Sequence, residues 1–249
     1  MLTDEELLRY SRQIMLPELD VAGQEKLRSA SVLVVGLGGL GSPVAMYLAA
    51  AGVGKLVLVD HDQVDLSNLQ RQISHTTARI GDDKVASAAV ALEQLNPGCQ
   101  VEPVNASLTE DNADILVSAC DLVLDCSDNF AVRFLLNRMS VSHGKPLVSG
   151  AAIRMDGQVS VYDPRDVSSP CYRCLFDETG EEDLRCSTNG VLAPLVGLVG
   201  SIQATEAIKV IAGVGEPLVG RLLIVDALNM NFRSVKIKPN LNCPVCSGK

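Results

Sequence analysis

Eight cysteines stand in the 249 residues, and four of them form two C-x-x-C pairs, Cys171-Tyr-Arg-Cys174 and Cys243-Pro-Val-Cys246. Each pair can place two thiolates on one tetrahedral ion, so the two together predict a closed four-sulfur zinc site. A closed site has no open position for water, so its role is structural: it would tie the C-terminal tail to the region after Ser169. A redox dithiol is the alternative, but a thioredoxin-like motif opens a helix early in its fold, and neither pair does so here. The second feature is the run Gly36, Gly38, Gly39 and Gly41, a G-x-G-G-x-G between a β-rich stretch and a helical one. Such a loop lets the backbone approach a phosphate, and the helix behind it offers unpaired N–H groups. Asp60 closes the next strand, where a carboxylate can bond ribose hydroxyls. This unit suits NAD as readily as ATP, and a tight βα turn without ligand is its bland alternative.

The elements that must position these residues follow from periodicity and punctuation. Residues 3–15 predict a helix, with Thr3 and Glu6 in capping-box spacing. Helix resumes at 24–28. Strands are expected at 31–35, 55–60, 100–105, 121–125 and 146–149, helices at 42–51, 84–95 and 129–143, and a more irregular region beginning at 158–162. Asn96-Pro97 stops the helix at 84–95. Residues 177–190 are acidic and predict a mobile loop. A long helix follows at 191–212, in which Gly197 and Gly200 would permit close packing. A late antiparallel hairpin is expected from 221–226 and 232–237. Strands alternating with helices predict a Rossmann-like, doubly wound α/β fold with a mainly parallel sheet and a C-terminal antiparallel portion stapled by the zinc cysteines. One domain is expected over 1–249: N-terminal helices to 30, a nucleotide-binding core at 31–150, and a zinc-stapled remainder at 151–249.

Composition bounds the rest. Hydrophobic residues make up 47% and aromatic residues 3%, so the core must be aliphatic. The net charge of −9 argues against nucleic-acid partners. No signal peptide or span of membrane length is read, which makes the cytoplasm the expected location. Only His61, His75 and His143 are present; no Ser-His-Asp arrangement is evident, and they are read as surface or packing residues. Cys99, Cys120 and Cys126 lie on or beside apolar segments and are read as inert core thiols. Cys186 sits beside Arg185 in the acidic loop, where a neighbouring cation would lower a thiol pKa. Taken singly, Arg71 and Lys84 could be ordinary surface cations. Asp128 could cap the helix that begins near Asn129.

Together these pieces resemble the MoeB/ThiF family, within the superfamily of ubiquitin-activating enzymes. The resemblance covers nearly the whole chain: Arg9 to Gln13 (RYSRQ), Val34 to Ser42 (VVGLGGLGS), Leu58 to Gln72 (LVDHDQVDLSNLQRQ), Lys84, Asp125 to Arg133 (DCSDNFAVR), Pro146 to Ala152 (PLVSGAA), both C-x-x-C pairs, and the helix from Gly190 to Lys209. The S-N-L-Q-R-Q and D-x-x-D-N segments are far more specific than the glycine loop. The length and the Gly150 to Tyr162 run look closest to the molybdopterin branch. The resemblance implies ATP as nucleotide, with Gly39 and Gly41 at the phosphates, Asp60 on the ribose, and Ser67, Asn68, Leu69, Gln70, Arg71, Lys84, Asp128 and Asn129 around it. It implies Arg71, Lys84, Asp128 and Arg12 as catalytic residues, Asp128 on magnesium, and Arg71 with Arg12 crossing a homodimer interface.

The implied reaction is attack of a carrier protein's C-terminal carboxylate on the α-phosphate of ATP, giving an acyl-adenylate and pyrophosphate. The nucleophile is already an anion, so no general base is needed, and catalysis is positioning and charge stabilisation. The implied carrier is a small ubiquitin-like sulfur carrier ending in Gly-Gly, the molybdopterin-synthase small subunit or alternatively its thiamine-pathway counterpart. No rhodanese-like domain follows Lys249, so a separate sulfur-donor protein is expected. Two readings outside this class remain open to test. An NAD-dependent oxidoreductase leaves S-N-L-Q-R-Q without a role, and a carrier-binding scaffold without catalysis leaves Arg71, Lys84 and Asp128 without one.

Overall fold

The computed structural model describes residues 1–178 and 190–247. Three short helices open the chain: α1 (Asp4–Arg9), α2 (Ser11–Ile14) and α3 (Asp20–Ser29). Thr3 and Glu6 form the expected capping box. The helix expected over 3–15 breaks at Tyr10, whose buried hydroxyl accepts a hydrogen bond from Asn96 Nδ2 at 2.8 Å. Tertiary anchoring of one side chain thus overrides a continuous helical pattern.

Next come β1 (Ser31–Val35), α4 (Gly41–Ala50), β2 (Lys55–Asp60), α5 (Lys84–Leu95), β3 (Gln100–Asn105), α6 (Glu110–Ser118), β4 (Leu122–Asp125), α7 (Phe130–His143) and β5 (Leu147–Ile153). The chain continues through β6 (Asp156–Tyr162), α8 (Tyr172–Leu175), α9 (Ala193–Ala212), β7 (Arg221–Asp226) and β8 (Asn231–Lys236). Among the described residues the strands form one sheet in the order β3-β2-β1-β4-β5-β6-β7-β8. Pairing is parallel from β3 to β5 and antiparallel from β5 to β8. The doubly wound fold with an antiparallel C-terminal portion is therefore as the sequence predicts. The antiparallel part begins earlier than expected, because β5 runs on to Ile153 and turns directly into β6 at Arg154, which adopts a left-handed φ of 53°. Helix α6 was not expected, although Thr109 and Asn112 form a capping box at its start.

Both faces of the sheet are covered at its parallel centre, β1, β2 and β4, whereas β8 at the far edge is exposed at every residue. Val32 and Val34 of β1 face one cluster with α3, α4, α5 and α9; Leu33 and Val35 face the other, with α6, α7 and α8. The first cluster is aliphatic, as expected from composition. The second is not: Phe134, Tyr162, Tyr172 and Phe176 pack ring on ring, with centroids 4.5–5.9 Å apart. These four rings are thus gathered in one place, beside the first cysteine pair. Helix α9 has the length and apolarity of a membrane span but packs against α3, α4, β5 and β6. Of its two glycines only Gly200 makes the expected close approach. A Cβ there would lie 2.6 Å from the Leu40 carbonyl oxygen, whereas Gly197 has nothing within 4 Å.

Candidate active site

The strand order reverses between β1 and β4, and the crevice beyond their C-terminal ends is where doubly wound sheets bind ligands. A cavity of about 580 Å³ opens there, within the range of small-ligand sites. One wall is the glycine loop. Gly36 adopts φ +90°, and a Cβ on it would lie 2.7 Å from the Cys126 carbonyl oxygen. Only glycine allows β1 and β4 to deliver their loops this closely. Gly41 is needed for a different reason. Its Cβ would strike the Gly36 carbonyl at 1.8 Å, so it seats the helix rather than facing the cavity. Gly38 and Gly39 line the cavity.

The opposite wall carries the charges. Asp60 lines the cavity, and its carboxylate accepts from the Leu37 N–H at 2.6 Å and the Asp62 N–H at 2.8 Å. It therefore braces the glycine loop from the end of β2. Lys84 opens α5; its side chain is only 6% exposed, and Nζ donates to Asp62 Oδ2 at 2.7 Å. Burial pushes the Asp62 carboxyl upward, but the Lys84 hydrogen bond and charge outweigh this and hold it below the usual value. Arg71 lies on the wall of its own chain's cavity. Its guanidinium donates to the Ser67 carbonyl at 3.2 Å and the Asn68 Oδ1 at 3.4 Å. Its charge is thus available there without a second subunit.

Asp128 and Asn129 follow β4 and line the third side. The helix cap is Asn129, whose Oδ1 accepts from the Val132 N–H at 3.0 Å. Asp128 is relieved of that task, and its exposed carboxylate borders the cavity. The structure thus brings together Gly39, Asp60, Asn68, Arg71, Lys84, Asp128 and Asn129. It leaves Gly41, Ser67, Leu69 and Gln70 off the cavity wall, although Ser67 and Gln70 hold Arg71 in place. Arg12 is exposed on α2 and does not line the cavity either. Sequence reasoning passed over Asp62, Gln72, Arg133, Asp156 and Gln158, which all line it. Asp62 stands within the specific Leu58 to Gln72 run, and Arg133 ends the D-x-x-D-N segment, but their partners are visible only in three dimensions.

His75 is buried behind the glycine loop, bonded to the Leu37 carbonyl and to Ser87, and burial lowers its pKa. His143 is at the surface beside Asp114, and His61 is exposed. All three therefore take packing or surface positions. Cys99, Cys120 and Cys126 are buried free thiols, each raised in pKa by burial. Cys186 lies outside the described residues.

The four remaining cysteines converge. Cys171 and Cys174 sulfurs are 3.9 Å apart, Cys171 and Cys243 3.6 Å, and Cys174 and Cys246 3.4 Å. Thiolates bonded tetrahedrally to zinc at about 2.3 Å stand about 3.8 Å from one another. The spacing fits a shared ion and excludes disulfides, whose sulfurs touch at about 2.05 Å. Asn137 Nδ2 donates to the Cys171 sulfur at 3.7 Å, and the Asn240 N–H to the Cys174 sulfur at 3.4 Å, the outer-shell support that thiolate sites use.

The family model of ThiF matches residues 10–245. The chain belongs to the ThiF family. A molybdopterin-synthase adenylyltransferase of Escherichia coli (strain K12) is 51% identical over 245 residues, 98% of either chain. An adenylyltransferase and sulfurtransferase MOCS3 of Drosophila grimshawi is 49% identical over 249 residues, which are 99% of this ThiF-family chain and 55% of that protein. Among solved structures, E. coli MccB with AMPCPP and MccA superimposes with a TM-score of 0.85 at 23% identity, over 98% of this chain and 75% of that one. PaaA superimposes with a TM-score of 0.82 at 25% identity, over 96% and 76%. The MccB likeness establishes the fold alone.

Proposed function

We propose that this ThiF-family chain adenylylates the C-terminal glycine carboxylate of a ubiquitin-like sulfur carrier, the molybdopterin-synthase small subunit, using ATP, in molybdenum cofactor biosynthesis. The observation that carries this reading is identity of 51% along the full length of the E. coli adenylyltransferase, together with a cavity that gathers the charges such chemistry needs. In it the glycine loop cradles the phosphates, and Asp60 offers the ribose its carboxylate. Asn68, Arg71 and Lys84 face the polyphosphate. Lys84 acts as a point charge already set by Asp62, and Arg71 as a fork held by Ser67 and Asn68. Their fixed positive charge offsets the repulsion between carboxylate and α-phosphate and the charge that builds on pyrophosphate. A magnesium ion at Asp128 would supply further neutralisation of the polyphosphate.

The four-cysteine centre holds zinc and is structural, since four thiolates leave no position for substrate. Arg12, exposed on α2, serves the cavity of a second copy in a homodimer. The enzyme works in the cytoplasm with a separate sulfur-donor protein. ATP–pyrophosphate exchange with magnesium and the molybdopterin-synthase small subunit tests the reading. Exchange with that carrier, and none with a carrier lacking its terminal glycine, is the expected result. Exchange with only the thiamine-pathway carrier would keep the chemistry and move the pathway, and no exchange with either would overturn the assignment.

A further inference from the structure

Arg133 is a buried cation with incomplete pairing on the wall of the cavity. It sits in the first turn of α7, its side chain 10% exposed. A buried charge is costly unless well paired. Its one hydrogen bond below 3 Å goes from Nη2 to the Ser127 carbonyl, at 2.9 Å. The carboxylate facing it, Asp125, stays 3.9 Å from Nε, and Nε makes no hydrogen bond. Asp125 is already engaged by the Ser127 N–H at 3.1 Å, the Ser127 hydroxyl at 2.6 Å and the Ser149 hydroxyl at 2.7 Å. The Phe130 ring, 5.8 Å from Cζ, and the phenol of Tyr172 close the guanidinium's other sides. If Arg133 were there only to fill space or neutralise Asp125, an apolar side chain or a tight ion pair would serve better. What the guanidinium grips instead is the carbonyl immediately before Asp128.

We propose that Arg133 is a positioning residue for adenylation, clamping the Ser127 carbonyl so that the turn after β4 presents Asp128 to the nucleotide-bound cation. The inference rests on the adenylation reading above and on Asp128 as the magnesium residue. The clamp works from both sides of one residue, Ser127. Asp125 fixes Ser127 by its N–H and hydroxyl, and Arg133 fixes the carbonyl that follows. The direction of the next residue, Asp128, is thereby set, and the Asn129 cap holds the far end.

The test is exchange against magnesium concentration for wild type, Asp128→Asn, Arg133→Met, Arg133→Lys and the double variant D128N/R133M, with ATP binding followed by calorimetry with and without magnesium. Arg133→Met is expected to raise half-saturating magnesium about tenfold, a coupling of ordinary size for residues acting as one unit. It should weaken ATP binding only when magnesium is present and leave the KM for carrier unchanged. Adding it to Asp128→Asn should change little more, and Arg133→Lys should recover part of the loss. Independent, multiplying effects of the two substitutions, or a change in thermal stability with unaltered magnesium dependence, would overturn the proposal. If Arg133→Met does not fold, unaltered magnesium dependence in folded Arg133→Lys overturns it instead. An inactive wild type, or Asp128→Asn with wild-type magnesium dependence, would sink the adenylation or the magnesium reading first, and this one with it.

Discussion

At the scale of the residue, the site depends on cations that are fixed before substrate arrives. Lys84 is the clearest case, since Asp62 holds it in the wall at 2.7 Å. Because the folded carboxyl of Asp62 lies below its ordinary value, the pair stabilises the fold at neutral pH. That contribution is lost as pH falls through the lowered pKa. Asp62→Asn should therefore lower Tm at pH 7, and the gap to wild type should close below about pH 4; thermal melts across pH check this. A gap that widens on acidification would contradict the sign. That Arg71, Lys84 and Asp128 share one cavity was legible in the sequence, because Arg71 and Asp128 stand in the specific segments and Lys84 belongs to the same resemblance. Asp62 and Arg133 were not legible as participants. Asp62 matters through Lys84, 22 positions along the chain, and Arg133 through a carbonyl on the loop beneath it. Such pairings exist only after β2, β4, α5 and α7 have met.

Among the elements, α9 carries a contrast between two glycines that look equivalent in sequence. Gly200 lets α9 press on Leu40 and Pro43, at the start of the helix behind the glycine loop. Gly200→Ala should cost about 1–3 kcal/mol by overpacking and weaken ATP binding by displacing Leu40. Gly197→Ala should be neutral or stabilise by up to about 1 kcal/mol, since helix propensity improves and nothing is struck. Melting temperature and ATP affinity of the two variants separate these outcomes. The cysteine centre belongs to this scale as well. It joins the start of α8 to the C-terminal tail, and Tyr172 between its first two ligands anchors the aromatic cluster. Wild type should carry one zinc per chain by metal analysis. Cys243→Ser should abolish it and lower Tm by about 5 °C or more; retention of stoichiometric metal would contradict a shared site. Cysteine spacing announced this centre, whereas the helix break at Tyr10 and the polar helix α6 went unread, because a distant hydrogen bond decides the first and weak apolar periodicity hides the second.

For the whole molecule, the placement of Arg12 separates a self-sufficient chain from a shared site. Arg12→Ala and Lys84→Met should each be nearly inactive alone. If Arg12 completes the cavity of a partner copy, mixing and re-equilibrating the two should restore exchange to about a quarter of wild type, because random pairing leaves one intact site in half of the dimers. No recovery, in a sample shown to be dimeric by light scattering, would place Arg12 in the service of its own chain's cavity.

The three unligated thiols of the interior have a further consequence. Burial lifts Cys99 to about 11, and Cys120 and Cys126 also upward. At pH 7 about one Cys99 in ten thousand is a thiolate, the only form that alkylates or exchanges. The chain is thus chemically silent inside, and its interior cysteines become reactive only when the fold opens. In a Cys186→Ala background with metal bound, the rate at which iodoacetamide labels these three positions becomes a clock for global unfolding. ATP should slow that clock, and by more at Cys126, on the cavity wall, if the loops around it open before the rest of the molecule.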